Sequence, residues 1–354
     1  MFLLSRNPRH LLSGWCHMRV SLFSVLALVL GGCNQPPSLI KVSGPAQGTT
    51  WHVTFWNTGS ADTEAIRQDV VAELARVDAL MSNYRPDSVI ESFNRAAASE
   101  VLEVGPEIVN LIAKAREVTK ASRGCYDLTV KPIFDLWGFN GQQVSVPSET
   151  ELHNQLQIVG INNVVARSGK TLAKSVSDLQ VDLSSIAQGY TVNKMADVLE
   201  SAGIDHYLVE LGGELKTRGH KPGGEPWRVA IERPTPEERS IHKVITIRSD
   251  APLSVMTSGT YRHYFDDQGQ RYSHVLDART GWPVSHSTVS VTVIDQDPTR
   301  ADAWSTALLC LGAREGTAVA DQHDIAALFM EEKNNQLSET TTEAWHVIEG
   351  ITVD

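Results

Sequence analysis

Residues 181–200 have the sequence VDLSSIAQGYTVNKMADVLE, which predicts a buried strand that runs directly into a helix. Apolar residues recur at helical spacing from Ala187 to Leu199, and Ser184 and Ser185 are candidate cap hydroxyls at the helix start. Free backbone N–H groups and the positive end of the helix dipole favour phosphate binding at such a junction. For this segment alone, an ordinary capped helix is the better interpretation.

The N-terminal region has the pattern of a lipoprotein signal peptide. Residues 21–30 form an apolar run that is too short to span a bilayer, and a lipobox ending in Leu-Gly-Gly-Cys33 follows it. We therefore expect residues 1–32 to be removed and Cys33 to carry lipid chains that anchor the protein in the bacterial cell envelope. A secretory signal without lipid on Cys33 is the alternative.

Composition limits the remaining possibilities. A formal net charge of -11 argues against a nucleic-acid-binding protein. We expect residues 33–48 to be a tether and residues 49–350 to form one domain. Cys125 and Cys310 are able to pair in an oxidising compartment, but Cys310 lies in an apolar helical segment that suggests packing. We therefore predict no disulfide.

The order of elements predicts an α+β fold of mixed helices and largely antiparallel strands. Helical periodicity is present in residues 62–81, 105–122, 148–157 and 302–311. Segments rich in β-branched and aromatic residues, separated by turn residues, predict strands at 51–56, 206–211, 214–218, 227–232, 243–247, 253–257, 272–276 and 289–294. Helices and strands do not alternate regularly, which argues against a doubly wound parallel sheet.

A series of short motifs then follows along the chain. They are LMSNYRPDS at 80–88, GCYDLTV at 124–130, DLSSIAQGY at 182–190, ELGGE at 210–214, TSGTY at 257–261, YSHVLDARTG at 272–281 and ADAWSTA at 301–307. In wording and order this set closely resembles the ApbE family, the FAD:protein FMN transferases, over essentially the whole chain beyond Gly48. The resemblance implies a Mg²⁺-dependent enzyme that splits the pyrophosphate of FAD and releases AMP. The FMN half passes to a Thr or Ser hydroxyl of a partner protein through a phosphoester.

The resemblance implies that Mg²⁺ is bound by Asp302, Thr306 and the backbone carbonyl of Ala187. Asp302 and Thr306 are four residues apart on a predicted helix. They therefore share one helix face and offer the hard oxygen donors that Mg²⁺ prefers. Spacing alone fits a helix cap with a surface partner better, and the resemblance is what favours a metal.

His274 is the candidate general base, because an imidazole accepts a hydroxyl proton near neutral pH. Without the surrounding YSHVLDARTG motif, a solvated or packed ring is the simpler interpretation. Asp182 is the next candidate for this role. Asp277 and Arg279 are interpreted as braces of the loop, and Gly281 as a turn residue.

The resemblance places FAD against residues on several elements: Gln47, Tyr84, Cys125, Tyr126, Asp127, Asp182, Ser184, Tyr190 and Leu276. Tyr84 and Tyr126 offer aromatic faces, Asp127 offers an acceptor, and Ser184 lies where a helix terminus would meet phosphate. The family usually has Met where this chain has Gln47, and a small residue before Phe where it has Cys125 and Tyr126. The ELGGE motif is interpreted as a structural hairpin, with direct ligand contact as the alternative.

Two other functions remain open. An FAD hydrolase would release FMN and AMP to water, but Tyr84 stands where such a hydrolase is expected to have an amide. A non-catalytic flavin-binding lipoprotein would need neither Asp302 and Thr306 nor His274. For a transferase, the resemblance suggests acceptors among flavin-carrying subunits of membrane redox complexes, reached at the periplasmic face of the cytoplasmic membrane.

Overall fold

The computed structural model describes residues 38–57, 59, 62–141, 144–235, 240–261 and 264–354. The predicted signal peptide and Cys33 lie outside these residues. The chain from Pro37 to Asp354 forms one compact unit. Within the described ranges, the helices are all too short or too polar to cross a membrane.

Helices and strands are interspersed, as an α+β fold requires. The helices are α1 (Thr63–Met81), α2 (Val89–Arg95), α3 (Gly105–Ala121), α4 (Lys131–Leu136), α5 (Glu149–Leu156), α6 (Ser184–Ser201) and α7 (Pro298–Gln322). The first strands are β1 (Ile40–Ala46), β2 (Thr49–Trp56), β3 (Leu102–Glu103), β4 (Val164–Ser168), β5 (Thr171–Lys174), β6 (His206–Leu211), β7 (Glu214–Gly219) and β8 (Trp227–Glu232). The remaining strands are β9 (Ile241–Ile247), β10 (Ser249–Gly259), β11 (Tyr264–Asp267), β12 (Gln270–Ser273), β13 (Thr288–Asp295), β14 (Ala326–Lys333), β15 (Gln336–Thr341) and β16 (Ile351–Val353).

An antiparallel sheet of 8 strands, in the order β1-β2-β6-β7-β10-β13-β14-β15, forms the centre of the domain. Successive side chains of a strand point to opposite faces, so the sheet separates two apolar clusters. Met256 and Val293 face the cluster with α1, α3, α6 and α7, whereas Val255 and Ile294 face the β8–β9 layer. The α+β prediction with largely antiparallel strands is confirmed.

The predicted tether extends too far along the chain. Residues 40–46 are not a linker but form β1, which pairs in register with β2 from Ile40↔Phe55 to Ala46↔Thr49. Gln47 and Gly48 form the hairpin turn with φ angles of 50° and 74°. Such left-handed pairs join antiparallel strands tightly. Ser43 and Pro45 of this edge strand are exposed and alternate with half-buried residues. Their presence makes the strand look like a linker in sequence.

The predicted strand before α6 is also wrong. Val181 and Leu183 are buried, but residues 181–183 have no strand partner and α6 begins at Ser184. The N-cap residue is Leu183, which makes no side-chain cap bond, so Ser184 and Ser185 are not cap hydroxyls. Asp182 Oδ1 instead accepts the Ser184 N–H at 2.7 Å. Two alternating apolar residues have the pattern of a strand, whereas their burial here comes from neighbouring loops and helices.

The strand predicted at 272–276 is shorter than expected. β12 ends at Ser273, whose hydroxyl accepts the N–H of Val275 at 3.1 Å. Leu276 then forms an isolated bridge with Pro283. The chain therefore leaves the hairpin at His274.

The two cysteines of the domain are paired, contrary to the sequence-based prediction. A disulfide joins Cys125 and Cys310 across 185 residues, with a Cα–Cα distance of 6.0 Å. Both residues are buried, and a buried cysteine is expected whether it packs as a free thiol or forms a disulfide. Tertiary packing of α7 against the loop after α3 brings the sulfurs together, which sequence spacing does not reveal.

Removing this disulfide is expected to lower the free energy of unfolding by about 2–4 kcal/mol, because the unfolded chain regains the freedom of a long loop. Denaturant unfolding of C125A/C310A and of the wild type, each with and without reductant, measures this. Reductant should move the wild-type midpoint toward the variant's and leave the variant's midpoint unchanged. A wild-type unfolding curve that is unchanged by reductant would contradict the disulfide.

Candidate functional site

One face of α7 collects the predicted metal ligands and the disulfide. Asp302, Thr306 and Cys310 recur at intervals of one helical turn, so their side chains share a face. Asp302 contacts α6, Thr306 contacts β10, and Cys310 is bonded to the loop after α3. The residues predicted from separate motifs therefore meet along this stripe.

Asp302 is a buried carboxylate held against α6. Its Oδ2 accepts the backbone N–H of Gly189 at 2.8 Å, and the side chain is only 4% exposed. Burial raises the pKa of Asp302 to about 7, and the Gly189 N–H opposes that rise. In the described part of the chain no donor contacts Oδ1, so this oxygen is available to a cation.

Gly189 is required where α6 and α7 cross. A Cβ atom there would overlap the carbonyl oxygen of Pro298 and lie 2.7 Å from Cβ of Asp302. The missing side chain lets the Gly189 N–H reach the Asp302 carboxylate. An isolated glycine inside a helical pattern was a signal of such a close approach.

Gly189→Ala is expected to destabilise the protein by about 1–3 kcal/mol, because the added methyl group separates the two helices. Gly169→Ala is the matched control, since a Cβ there meets nothing within 4 Å and its φ is not positive. Urea unfolding of both variants measures the difference. Equal midpoints for the two variants would show that the crossing tolerates a side chain.

Thr306 belongs to a cluster of hydroxyl groups between α7 and β10. Ser258 Oγ lies 3.0 Å from Thr306 Oγ1 and 2.8 Å from Ser305 Oγ. The carbonyl of Ala187, on the turn of α6 next to Gly189, accepts the Thr191 hydroxyl at 2.7 Å. Carboxylate, hydroxyl and carbonyl oxygens are the donors that Mg²⁺ takes, so these residues fit that ion.

The loop that carries Tyr126 and Asp127 lies beside α6. Tyr126 is buried, and its hydroxyl is 3.3 Å from Ser185 Oγ. Burial raises the pKa of Tyr126, and Asp302, Asp127 and Asp182 add to that rise. The side chain of Tyr126 is therefore close to the predicted metal face of α7.

Asp127 has a structural role that the sequence did not suggest. Its Oδ1 accepts the N–H and hydroxyl of Thr129 at 2.8 and 2.6 Å, and Oδ2 accepts the N–H of Ile161 at 2.9 Å. Burial raises the pKa of Asp127, and these bonds oppose the rise. The side chain of Cys125 is likewise buried, in the disulfide, and its N–H donates to the carbonyl of Ser122 at 3.1 Å.

Tyr84 lies near Asp182. It is 76% exposed, which leaves one aromatic face open to a ligand. Desolvation raises its pKa, and the nearby Asp182 carboxylate contributes. Burial also raises the pKa of Asp182. Tyr84, Asp182 and the exposed Ser184 thus belong to one locality.

His274 follows the β11–β12 hairpin, which an aromatic cluster anchors. The Phe265 and Tyr272 rings stack at 5.2 Å, and the Trp137 ring lies 5.4 Å from Tyr272. Trp137 Nε1 donates to the carbonyl of Gly281 at 2.9 Å. The half-buried His274 is therefore held between an anchored hairpin and an anchored turn.

The turn after His274 has the braces that the motif suggested. Asp277 and Arg279 form an ion pair at 2.7 Å, and Gly281 has a φ of 74°. The N–H of Ala278 donates to the carbonyl of Cys125 at 3.1 Å, which joins this turn to the Tyr126 loop. Asp277 lies within 4.8 Å of both cysteine sulfurs, but sulfurs in a disulfide carry no thiolate charge to bind a metal.

The other predicted flavin residues are spread around this centre. Gln47 Nε2 lies 3.4 Å from Thr191 Oγ1 on α6, and Leu276 is buried beside the hairpin. Tyr190 bonds to Glu107 of α3 instead, and burial raises its pKa. It lines a cavity of about 460 Å³ together with Lys114, Asn193, Lys194 and Asp297. The Gly212-Gly213 turn joins β6 and β7, and Glu210 accepts the Gly213 N–H at 2.6 Å, which confirms the structural hairpin.

Several residues of this centre were not found from the sequence. Ser258 stands inside the TSGTY motif, but nothing singled out its hydroxyl. Asn83 and Asn94 hold the segment before α6 and are described below. Asn83 lies in a quoted motif, whereas Asn94 has no local sequence signal.

Comparison with known proteins agrees with the motif resemblance. The profile of the ApbE family matches residues 47–329. An FAD:protein FMN transferase of Vibrio cholerae serotype O1 is 37% identical over 306 residues, which cover 86% of this chain and 90% of that protein. The FAD:protein FMN transferase of Escherichia coli K12 is 33% identical over 321 residues, with 87% and 90% covered.

Solved structures show the same fold. The flavin transferase ApbE from Vibrio cholerae superposes with a TM-score of 0.80 at 34% identity, covering 88% of this chain and 99% of that one. The apo flavinyl transferase ApbE of Pseudomonas stutzeri has a TM-score of 0.79 at 35% identity, covering 90% and 98%.

Proposed function

The chain belongs to the ApbE family, and we propose that it transfers the FMN half of FAD to hydroxyl groups of acceptor proteins. The observation that supports this most is the convergence of three motifs on one face of α7. Asp302 meets Gly189, Thr306 meets Ser258, and Cys310 meets Cys125 beside Tyr126. A pure flavin carrier has no need of a buried carboxylate next to a hydroxyl cluster.

The reaction is a displacement at phosphorus. The acceptor Thr or Ser oxygen forms a bond to the phosphorus on the FMN side of the pyrophosphate, and the bond from that phosphorus to the bridging oxygen breaks. AMP leaves with the bridging oxygen, and the hydroxyl proton passes to His274 in its neutral form. A positioned base of this kind contributes a factor of about 10²–10⁴ to the rate.

The protein's own groups support this chemistry in distinct ways. Asp302, Thr306 and the Ala187 carbonyl would hold Mg²⁺, which neutralises charge on the pyrophosphate when bound. Tyr84 and Tyr126 flank the segment 182–184 and orient the flavin nucleotide. The bonded turn 277–281 keeps His274 in a fixed place relative to Tyr126.

The decisive experiment incubates the purified protein with FAD, Mg²⁺ and a protein that carries an exposed Thr as acceptor. Mass spectrometry should detect FMN covalently attached to the acceptor, together with an equal amount of AMP. Free FMN with AMP would identify a hydrolase instead. If neither product forms, the result would favour a flavin-binding protein without catalysis.

We further propose that the enzyme is a lipid-anchored periplasmic protein whose acceptors belong to membrane redox complexes. The lipobox ending at Cys33 supports the anchor. The Cys125–Cys310 disulfide supports an oxidising compartment, because such bonds seldom persist in the cytosol.

Cys33→Ala is expected to release the protein from membranes without loss of transfer activity, since the lipid would be the only attachment. Fractionation of cells that express the wild type or the variant, followed by the FMN-transfer assay on each fraction, measures both properties. Sedimentation of the variant with membranes as tightly as the wild type would contradict the lipid anchor.

A further inference from the structure

We propose that Asn83, Glu91 and Asn94 are positioning residues that hold Tyr84 and residues 182–184 in one arrangement and thereby set the affinity for FAD. This inference rests on the proposed function. The three side chains form a connected group, called here the amide clamp. They come from the end of α1 and from α2, whereas the segment they hold lies far along the chain.

The amide clamp replaces a missing strand partner. Asn94 Oδ1 accepts the N–H of Val181 at 2.8 Å, and Asn94 Nδ2 donates to the Val181 carbonyl at 3.0 Å. Asn83 Nδ2 donates to the same carbonyl at 2.8 Å, and Asn83 Oδ1 accepts the N–H of Leu183 at 2.9 Å. Buried backbone groups require partners of this kind, so the clamp determines where the segment lies.

Glu91 fixes the orientation of both amides. Its Oε1 accepts Nδ2 of Asn83 and Nδ2 of Asn94, each at 2.9 Å. Flipping either amide would turn its carbonyl oxygen toward this carboxylate and toward the Val181 carbonyl. One arrangement of the three side chains is therefore favoured strongly over the others.

A buried lysine and a backbone hydrogen bond hold the amide clamp and its segment in place. Lys174 is 1% exposed, and its Nζ donates to the carbonyls of Asn94 and Leu179 at 2.7 and 2.8 Å. Asn94 is 5% exposed, so the amide is shielded from water that would compete for its bonds. The backbone N–H of Asp182 donates to the carbonyl of Leu128 at 2.8 Å, which connects the same segment to the loop that bears Tyr126.

The amide clamp fixes the relative positions of candidate flavin residues that are distant in sequence. Tyr84 directly follows Asn83, and Asp182 lies between the two residues that the clamp bonds. Asn83 bridges positions 98 and 100 residues away. A shift of residues 181–183 would therefore change the spacing between the Tyr84 ring and the start of α6, where FAD is proposed to lie.

The test compares FAD affinity with stability in the full chain. Asn83→Asp keeps the size of the side chain but places a carboxylate against the Val181 carbonyl and Glu91. The dissociation constant for FAD, measured by flavin fluorescence, should rise roughly tenfold or more. Glu91→Gln keeps an acceptor oxygen for the two amides but loses the carboxylate charge, so it should weaken FAD binding less than Asn83→Asp does. The double variant N83D/E91Q, in which the new amide donates to the new carboxylate, should recover part of the affinity.

Val229→Ala is the matched control for general destabilisation. Val229 is buried in the β8–β9 layer on the far face of the central sheet, so its loss should lower thermal stability without changing FAD affinity. If N83D binds FAD as V229A does, the positioning role is wrong. Asn83→Ser carries the same test if N83D does not fold. Wild-type protein that fails to bind FAD would overturn the proposed function, and the positioning role with it.

Discussion

Asp302→Asn is expected to abolish FMN transfer and, at the same time, to stabilise the metal-free protein. The amide keeps the size of the side chain but removes the charge that a cation requires. Since metal charge stabilisation contributes several kcal/mol in such reactions, the rate should fall on the order of 10³-fold or more. Thr306→Val should weaken the response to Mg²⁺ less, because a neutral ligand is lost.

The stability change follows from the buried carboxyl group. Because burial raises the pKa of Asp302 to about 7, the folded protein binds this proton more tightly than the unfolded chain does. The free energy of unfolding therefore falls as pH rises from about 4 to about 7, and stays reduced above that range. Without the ionisable group, the variant should lose this pH dependence and be more stable than the wild type at pH 8.

Two measurements on the same samples decide this prediction. Transfer rates titrated with Mg²⁺ report the ligand role, and unfolding in a chelator at pH 4 and pH 8 reports the charge. We expect the stability difference to be large at the higher pH and nearly absent at the lower one. If Asp302→Asn responds to Mg²⁺ as the wild type does, Asp302 is not a Mg²⁺ ligand.

His274→Ala is expected to lower the transfer rate by about 10²–10⁴-fold while FAD still binds. We propose that the flavin and phosphate contacts come from α6, Tyr84 and the Tyr126 loop, and not from the imidazole. In the wild type at saturating Mg²⁺ the rate should rise with pH as the imidazole loses its proton, because only the neutral ring accepts the hydroxyl proton. That rise should be absent in the variant.

His153→Ala serves as the control, since His153 is exposed on α5. Flavin fluorescence measures binding, and the FMN-transfer assay over a range of pH measures the rate. If binding and rate are lost together, His274 is a structural residue. If the rate stays near normal, the proton acceptor lies elsewhere, and Asp182 becomes the next candidate.

The sequence by itself was sufficient for much of the fold, because local patterns determine local structure. Helical periodicity placed α1, α3 and α5 within a residue or two, and β-branched segments located most of the central strands. The order of the motifs identified the family, since an ordered set of specific segments rarely arises otherwise. The braces Asp277 and Arg279 were also recognisable, because they are neighbours in the chain.

Tertiary structure alone decided the features that depend on residues far apart in sequence. The segment at 181–183 has the apolar residues of a strand, yet amide side chains from the turn after α1 and from α2 take the place of a neighbouring strand. The cysteine in α7 has the surroundings of a packing residue, yet its helix face meets Cys125. Asp302 acquires its raised pKa from burial against Gly189. Short-range patterns carry no information about these contacts, because burial and pairing are set only when distant segments pack together.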